Sequence, residues 1–208
     1  MVSRPKLVRS GGFALLTGGA LEAALWVLLP TLGGWSLNSG DPFLFQILIL
    51  LGTMSSLLLA VGLVGLYAQL SSSSGGWSRG LATMGLILAG VSAATVVISL
   101  AQVVTVGLIS NPGDSFLATV VYPVGLWALP LAAGFLGLAS LSDGEFGSWG
   151  FLPLLVCLLT LVGVPSIVLG LCWMLLGYTL VSVRRARPLK PGSAEFPEDP
   201  ASRDIVAR

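Results

Sequence analysis

Histidine is absent from this 208-residue chain, cysteine occurs twice, and charged residues make up only 9% of it. Without histidine, and with Cys157 and Cys172 both inside apolar runs, a zinc or other transition-metal centre lacks its usual ligands, and no cofactor is expected. The two thiols are expected to serve as small buried hydrophobes rather than as a disulfide. The loop acids Asp41, Asp114, Asp143 and Glu145 are scattered singly, and solvated loop charge accounts for them. Neither a GxSxG nucleophile elbow nor a GxxxxGK[ST] phosphate loop is expected to be present, so neither a hydrolase of that type nor a P-loop nucleotidase is expected. A net charge of +1 gives no basic surface of the kind nucleic acid requires.

The chain is rich in apolar sequence: 55% is hydrophobic and the mean hydropathy is +0.95, whereas soluble domains carry roughly a quarter charged residues. Runs of about 18 apolar residues or more recur, each able to cross a hydrocarbon core of ~30 Å as a helix. Stretches such as LILLGTMSSLLLAVGLVGL do not alternate as a membrane β-barrel strand would. The class expected is an all-α, polytopic transmembrane helical bundle with the lipid bilayer as its surroundings.

Residues 1–10 read as a basic N-terminus, 11–184 as the bundle and 185–208 as a disordered cytoplasmic tail rich in proline and charge. The N-terminus resembles a signal peptide, but its apolar run is too long and no A-x-A site closes it, so it is expected to stay as the first span. Spans are expected near 11–33, 43–70, 80–109, 115–141, 147–163 and 165–184. The last two come from one apolar stretch, 147–183, which as a single helix would be roughly 55 Å long at ~1.5 Å per residue. Gly163 and Pro165 near its centre predict a tight reversal, the alternative being one kinked helix and five spans.

Lysine and arginine collect on the cytoplasmic side of membrane proteins. Arg4, Lys6 and Arg9 precede the first span, Arg79 lies between the second and third, and Arg184, Arg185, Arg187 and Lys190 follow the last. Connections 34–42 and 110–115 hold neither residue type. Both termini are therefore expected in the cytoplasm, which requires an even number of crossings.

Glu22 is the one charged residue near the centre of an expected span, where an acid costs on the order of 3 kcal/mol on insertion scales. Gly18 and Gly19 lie one turn before it and Trp26 one turn after, so a neighbouring helix can approach closely on one side. Candidate partners at similar depth are Ser55 and Ser56 on the second span and Ser92 and Thr95 on the third, all hydroxyls. None is a cation, so desolvation favours a neutral acid able both to donate and to accept. Two readings stay open: a pin between helices, or a site that binds a proton, a cation or an amine-bearing solute.

Other polar and aromatic residues suggest packing. Gln46, Gln102 and Thr105 fall toward the outer ends of their spans and suit interhelical hydrogen bonding or an outer vestibule. Tyr122, Pro123, Trp127 and Pro130 suggest a kinked fourth helix. Gly85, Ala89 and Ala93, with Gly90 and Ala94 alongside, and Ala133 with Gly137 form stripes for close helix approach, within the chain or in a homo-oligomer. Trp35, Trp77 and Trp149 fall at expected span ends, as interfacial anchors do.

The run GLVGLYAQL, a short Gly/Ser/Arg loop, SRGLATMGLILAGV, and the ending LGLCWMLLGYTLVSVRR resemble uncharacterised small bacterial multi-spanning membrane proteins along most of the chain. That resemblance implies a bacterial cytoplasmic membrane location and a last span ending inside, and it carries no functional residues with it. The function expected is a non-enzymatic structural, accessory or partner-binding role, with a small Glu22-dependent carrier or channel, or a sensor signalling through its tail, as alternatives.

Overall fold

The computed structural model of the protein describes residues 4–31, 42–71, 75–106, 122–143, 149–163 and 166–182. Those residues form six α-helices and no strand: α1 (Arg4–Thr31), α2 (Pro42–Leu70), α3 (Gly76–Val106), α4 (Tyr122–Asp143), α5 (Leu152–Val162) and α6 (Ser166–Ser182). Stretches of α1 (Pro5–Leu28), α2 (Leu50–Leu70) and α3 (Gly76–Ala101) are long and apolar enough to cross a membrane, while the apolar parts of α4, α5 and α6 are shorter.

The bundle is apolar outside as well as inside. Phe13, Val27, Met54, Val61, Ile87, Val97, Leu138, Leu158, Leu171 and Leu175 are all exposed, whereas a water-soluble bundle would carry its charged face there. The interior, by contrast, is assembled from Leu15, Leu63, Leu66, Leu136 and Leu176 with alanines, glycines and a few hydroxyls. This is the inverse of a soluble helix's one-sided patterning, and it marks a membrane-associated helical bundle.

Glycine contacts fix the direction of each helix. A Cβ on Gly19 would lie 2.6 Å from the Gly170 carbonyl oxygen, and one on Gly177 would lie 2.6 Å from that of Gly12. Rising residue numbers on α1 therefore meet falling ones on α6, so the two helices are antiparallel. The same test makes α1 antiparallel to α2, where Gly11 meets Gly65 and Gly18 meets Leu59. It makes α3 antiparallel to α4, where Gly85 meets Leu136 and Gly125 meets Thr95, and α4 antiparallel to α5, where Gly134 meets Cys157 and Gly137 meets Leu154. Helices α2 and α3 pack together across residues 71–75, too few at ~3.5 Å each to return along a helix, so they are antiparallel as well.

The directions therefore alternate from α1 to α6, and α5 and α6 run oppositely. The long apolar stretch is two helices rather than one. Pro153 sits in the first turn of α5, where its missing N–H costs nothing. Gly163 ends the helix in the left-handed region at φ 74° and ψ 33°, a conformation that disfavours a Cβ. The start of α1 consequently lies beside the end of α6.

Several helix bounds differ from the sequence expectation. α1 begins at Arg4 rather than near residue 11, and α3 at Gly76 rather than residue 80, because a helix need not stop where its residues become polar. α5 is confined to Leu152–Val162, with a turn at 149–151 before it. α4 continues through Pro130, and Pro123 is its second residue, where proline is tolerated. Cys157 and Cys172 are buried free thiols. Trp77 and Trp149 are exposed at the start of α3 and just before α5, as interfacial anchors would be. Trp35, the connections containing it, and the tail from residue 183 lie outside the described residues.

Candidate functional site

The seam between α1 and α2 is built from every third or fourth residue of α1. Leu15 packs at Gly62, Gly18 at Leu59, and Leu25 above Gly52. Glu22 occupies the next place in that register, opposite Ser55. The small residues on both sides bring the two backbones close, which is how a short serine side chain reaches across.

Ser55 is completely buried. Its Oγ lies 2.9 Å from the Gly18 carbonyl oxygen and 3.1 Å from Glu22 Oε2. One hydroxyl carries one proton and two acceptor lone pairs. Both contacts are full hydrogen bonds when Ser55 donates to Gly18 and a protonated Glu22 donates to Ser55. The indole N–H of Trp26, one turn along α1, also bonds the Glu22 carboxyl. The neutral acid thus has a donor and an acceptor in place. In the sequence Gly18 and Trp26 flank Glu22 as packing surfaces; their roles as acceptor and donor emerge only with the helix rotation.

The other expected partners separate from Glu22. Ser56 is half-buried beside Ser55 on α2. Ser92 and Thr95 are buried at the α3/α4 interface, where Ser92 donates to the Gly125 carbonyl at 3.3 Å and Thr95 to the Ser92 carbonyl at 2.8 Å. Thr95 also fills the space beside Gly125. These hydroxyls face the right depth but belong to a different helix pair. The side chains of Gln46, Gln102, Thr105, Tyr122 and Pro123 lie outside the described residues. Trp127 is exposed on α4.

Two further polar features deserve placement. Ser140 is buried and its hydroxyl lies 2.6 Å from the Gly150 carbonyl oxygen and 2.8 Å from that of Gly137, so it clamps the end of α4 to the turn before α5. The segment Gly76–Gly80 reads G-W-S-R-G and matches the GxSxG spacing, which corrects the expectation that no such string is present. The hydrolase elbow needs a strand running into the helix. Here the string opens α3, Ser78 is buried and donates to the Gly75 carbonyl at 3.2 Å, and the chain has no histidine to serve as base.

No protein-family model matches the sequence, and no curated protein or solved structure is significantly similar to it. The functional reading rests on the geometry of the chain itself.

Depth adds one fact about Glu22. Because α1 starts at Arg4, Glu22 sits in the second half of the apolar stretch Pro5–Leu28, away from the basic residues Arg4, Lys6 and Arg9. The inward face of α1 is buried at Val8, Gly11, Gly12, Leu15, Gly18 and Gly19, half-buried at Glu22, Ala23 and Trp26, and buried again at Leu25.

Proposed function

We propose that the protein is a six-span integral membrane protein of a bacterial cytoplasmic membrane, both termini cytoplasmic, with a non-enzymatic structural, accessory or partner-binding role. The alternating helix directions and the basic residues at Arg4, Lys6, Arg9, Arg79 and Arg184 support the threading. In this reading Glu22 is a neutral pin that holds α1 against α2. The observation that carries it is the Ser55 hydroxyl between the Gly18 carbonyl and the Glu22 carboxyl, an arrangement that satisfies a protonated acid without any cation.

The half-burial of Glu22 favours a second reading, a small proton- or cation-coupled carrier in which the same carboxyl exchanges its proton. Infrared difference spectra of the carboxyl band in a reconstituted bilayer, with Glu22→Gln as control, separate the two. A band that stays protonated between about pH 5 and 8, the range a perturbed acid can occupy, supports the pin alone. A band that titrates there shows that water reaches Glu22 and moves the carrier reading to first place.

A further inference from the structure

The lipid-facing flank of the α1/α6 seam is charged at one end. α1 has 28 residues, roughly 42 Å at ~1.5 Å each, against a hydrocarbon core of ~30 Å. Its first turns therefore stand among lipid headgroups, and they carry Lys6 and Arg9. The end of α6 lies beside them, because Gly177 meets Gly12 and the two helices are antiparallel. Counted from that contact, Arg9 lies about 4.5 Å and Tyr178 about 1.5 Å toward the same end, so the two residues stand nearly level.

Rotation puts them on the same side as well. Around α1 the order is Gly11, which meets α2, then Leu15, then Gly12, which meets α6, and then Arg9 and Phe13, at ~100° per residue. Arg9 thus lies just past the α6 contact, on the side away from α2. Around α6, Trp173, Leu176 and Leu180 are buried on one side of Gly177, while Tyr178 on the other is 63% exposed. Lys6, Arg9 and Phe13 are exposed too. The Arg9 guanidinium sits 5.6 Å from the Phe13 ring centroid, within cation–π range, so the ring holds it on this flank.

Among the described residues neither cation pairs with an acid, and the Tyr178 hydroxyl makes no hydrogen bond. Lys6 and Arg9, three residues apart, are neighbours of like charge on the helix surface. Deeper along the same flank, Ala20 of α1 and Leu171 of α6 are exposed and continue it as an apolar strip.

We propose that Lys6, Arg9 and Tyr178 bind the headgroup of an anionic phospholipid, with an acyl chain lying along Phe13, Ala20 and Leu171. A phosphate oxygen accepts hydrogen bonds from guanidinium, ammonium and hydroxyl groups alike, and basic residues between membrane helices on the cytoplasmic side hold anionic headgroups. A lipid fits better than a free phosphate, because the polar groups stand at the head of an apolar strip that a soluble anion leaves bare. The site requires the chain to lie in a bilayer, and its assignment to the cytoplasmic leaflet rests on the threading proposed above.

The test uses the full-length protein reconstituted in phosphatidylcholine vesicles, with spin-labelled phosphatidylglycerol or phosphatidylcholine as probe. The motionally restricted fraction of each label gives its relative association. Each basic residue near the membrane surface is worth about fivefold in association with anionic lipid. The expected result is a several-fold preference for phosphatidylglycerol that is lost in the double variant Lys6→Gln/Arg9→Gln, kept in Arg9→Lys and lowered in Tyr178→Phe. Unchanged phosphatidylcholine association shows that each bundle is intact; where the double variant loses it, Lys6→Gln and Arg9→Gln decide singly, each expected to lower the preference. No preference in the wild type, or an undiminished one in the glutamine variants, overturns the site. So does a preference lost only in Arg184→Gln/Arg185→Gln, which would assign the selectivity to the residues after α6. Displacement of the labelled lipid by soluble glycerol phosphate overturns the lipid in favour of a free anion. Threading fails by a different readout: labelling of Ser3→Cys by an impermeant maleimide outside intact cells would reverse the leaflet, while the preference measured in vesicles would still support the site.

Discussion

Gly19 of α1 and Gly170 of α6 face each other so closely that neither has room for a methyl group: a Cβ on either would come within 2.6 Å of the other's carbonyl oxygen. Gly12 and Gly177 repeat the relationship two turns away, so both helices carry glycine at seven-residue spacing on the shared face. Membrane helices associate largely through van der Waals packing, and absent side chains bring the backbones into range. Gly170→Ala should therefore lower stability by about 1–3 kcal/mol, the usual cost of overpacking, and Gly19→Leu should prevent α6 from seating. Reversible unfolding in mixed micelles, followed by circular dichroism, measures the first. Unchanged stability in Gly170→Ala would contradict the close approach.

Gly90 supplies the contrast. It lies within α3, is exposed, and has nothing within 4 Å of where a Cβ would sit. Gly90→Ala should be neutral or stabilise by up to about 1 kcal/mol through helix propensity. The same unfolding assay would expose an unseen contact, for instance with a second copy along Gly90 and Ala94, as a loss of stability.

Much of this arrangement was legible in the sequence. Six apolar helices follow from hydropathy and from Gly163 and Pro165, because a glycine able to turn left-handed with a proline two residues on ends a helix. Glu22 and Ser55 were also legible as candidates. Their pairing was not separable from a pairing with Ser92 or Thr95, since depth is set by distance along the chain while choice of neighbour is set by helix rotation. Apolar residues surround these helices on all sides, so hydropathy carries almost no rotational signal. The glycines carry it instead: Gly11, Gly18, Gly62 and Gly65 mark one seam, Gly12, Gly19, Gly170 and Gly177 another. Helix starts are not legible in the same way, since hydropathy marks the apolar stretch and not the more polar first turns of α1 and α3.

Glu22 and Ser55 should show coupled energetics. Each single change, Glu22→Ala and Ser55→Ala, removes one side of the bond, and the double-mutant cycle isolates their interaction. Interhelical hydrogen bonds within membranes average about 0.6 kcal/mol and reach about 1.7 kcal/mol, and the completely buried serine places this pair toward the upper end. Ser92→Ala serves as a comparison, because its hydroxyl is spent on Gly125. A coupling of zero for Glu22 with Ser55, or an equal coupling with Ser92, would refute the pin.

The reversal at Gly163 predicts a conformational penalty in place of a steric one. Nothing lies within 4 Å of its missing Cβ, yet its φ is +74°. Gly163→Ala should destabilise by about 1–2 kcal/mol, the cost of holding an L-residue in the left-handed region, and Gly163→Asn by less, since asparagine tolerates that region. Equal effects from the two substitutions would mean that the turn is not held in this conformation.

Thr95 and Gly125 offer a test by compensation. The Thr95 hydroxyl and methyl occupy the space where a side chain on residue 125 would stand, and Thr95 Cβ is 3.0 Å from the missing Cβ. Gly125→Ala should separate α3 from α4 and lengthen the Ser92 bond to the Gly125 carbonyl, destabilising by about 1–3 kcal/mol as overpacking does. Thr95→Ala alone should cost less, because the Thr95 hydroxyl bonds a carbonyl within its own helix. Introduced together, the two changes exchange small for large across the same gap, so the double variant should recover most of the stability lost in Gly125→Ala. Strictly additive losses in the unfolding assay would mean that residues 95 and 125 do not share a cavity, and the antiparallel register of α3 and α4 would have to be redrawn.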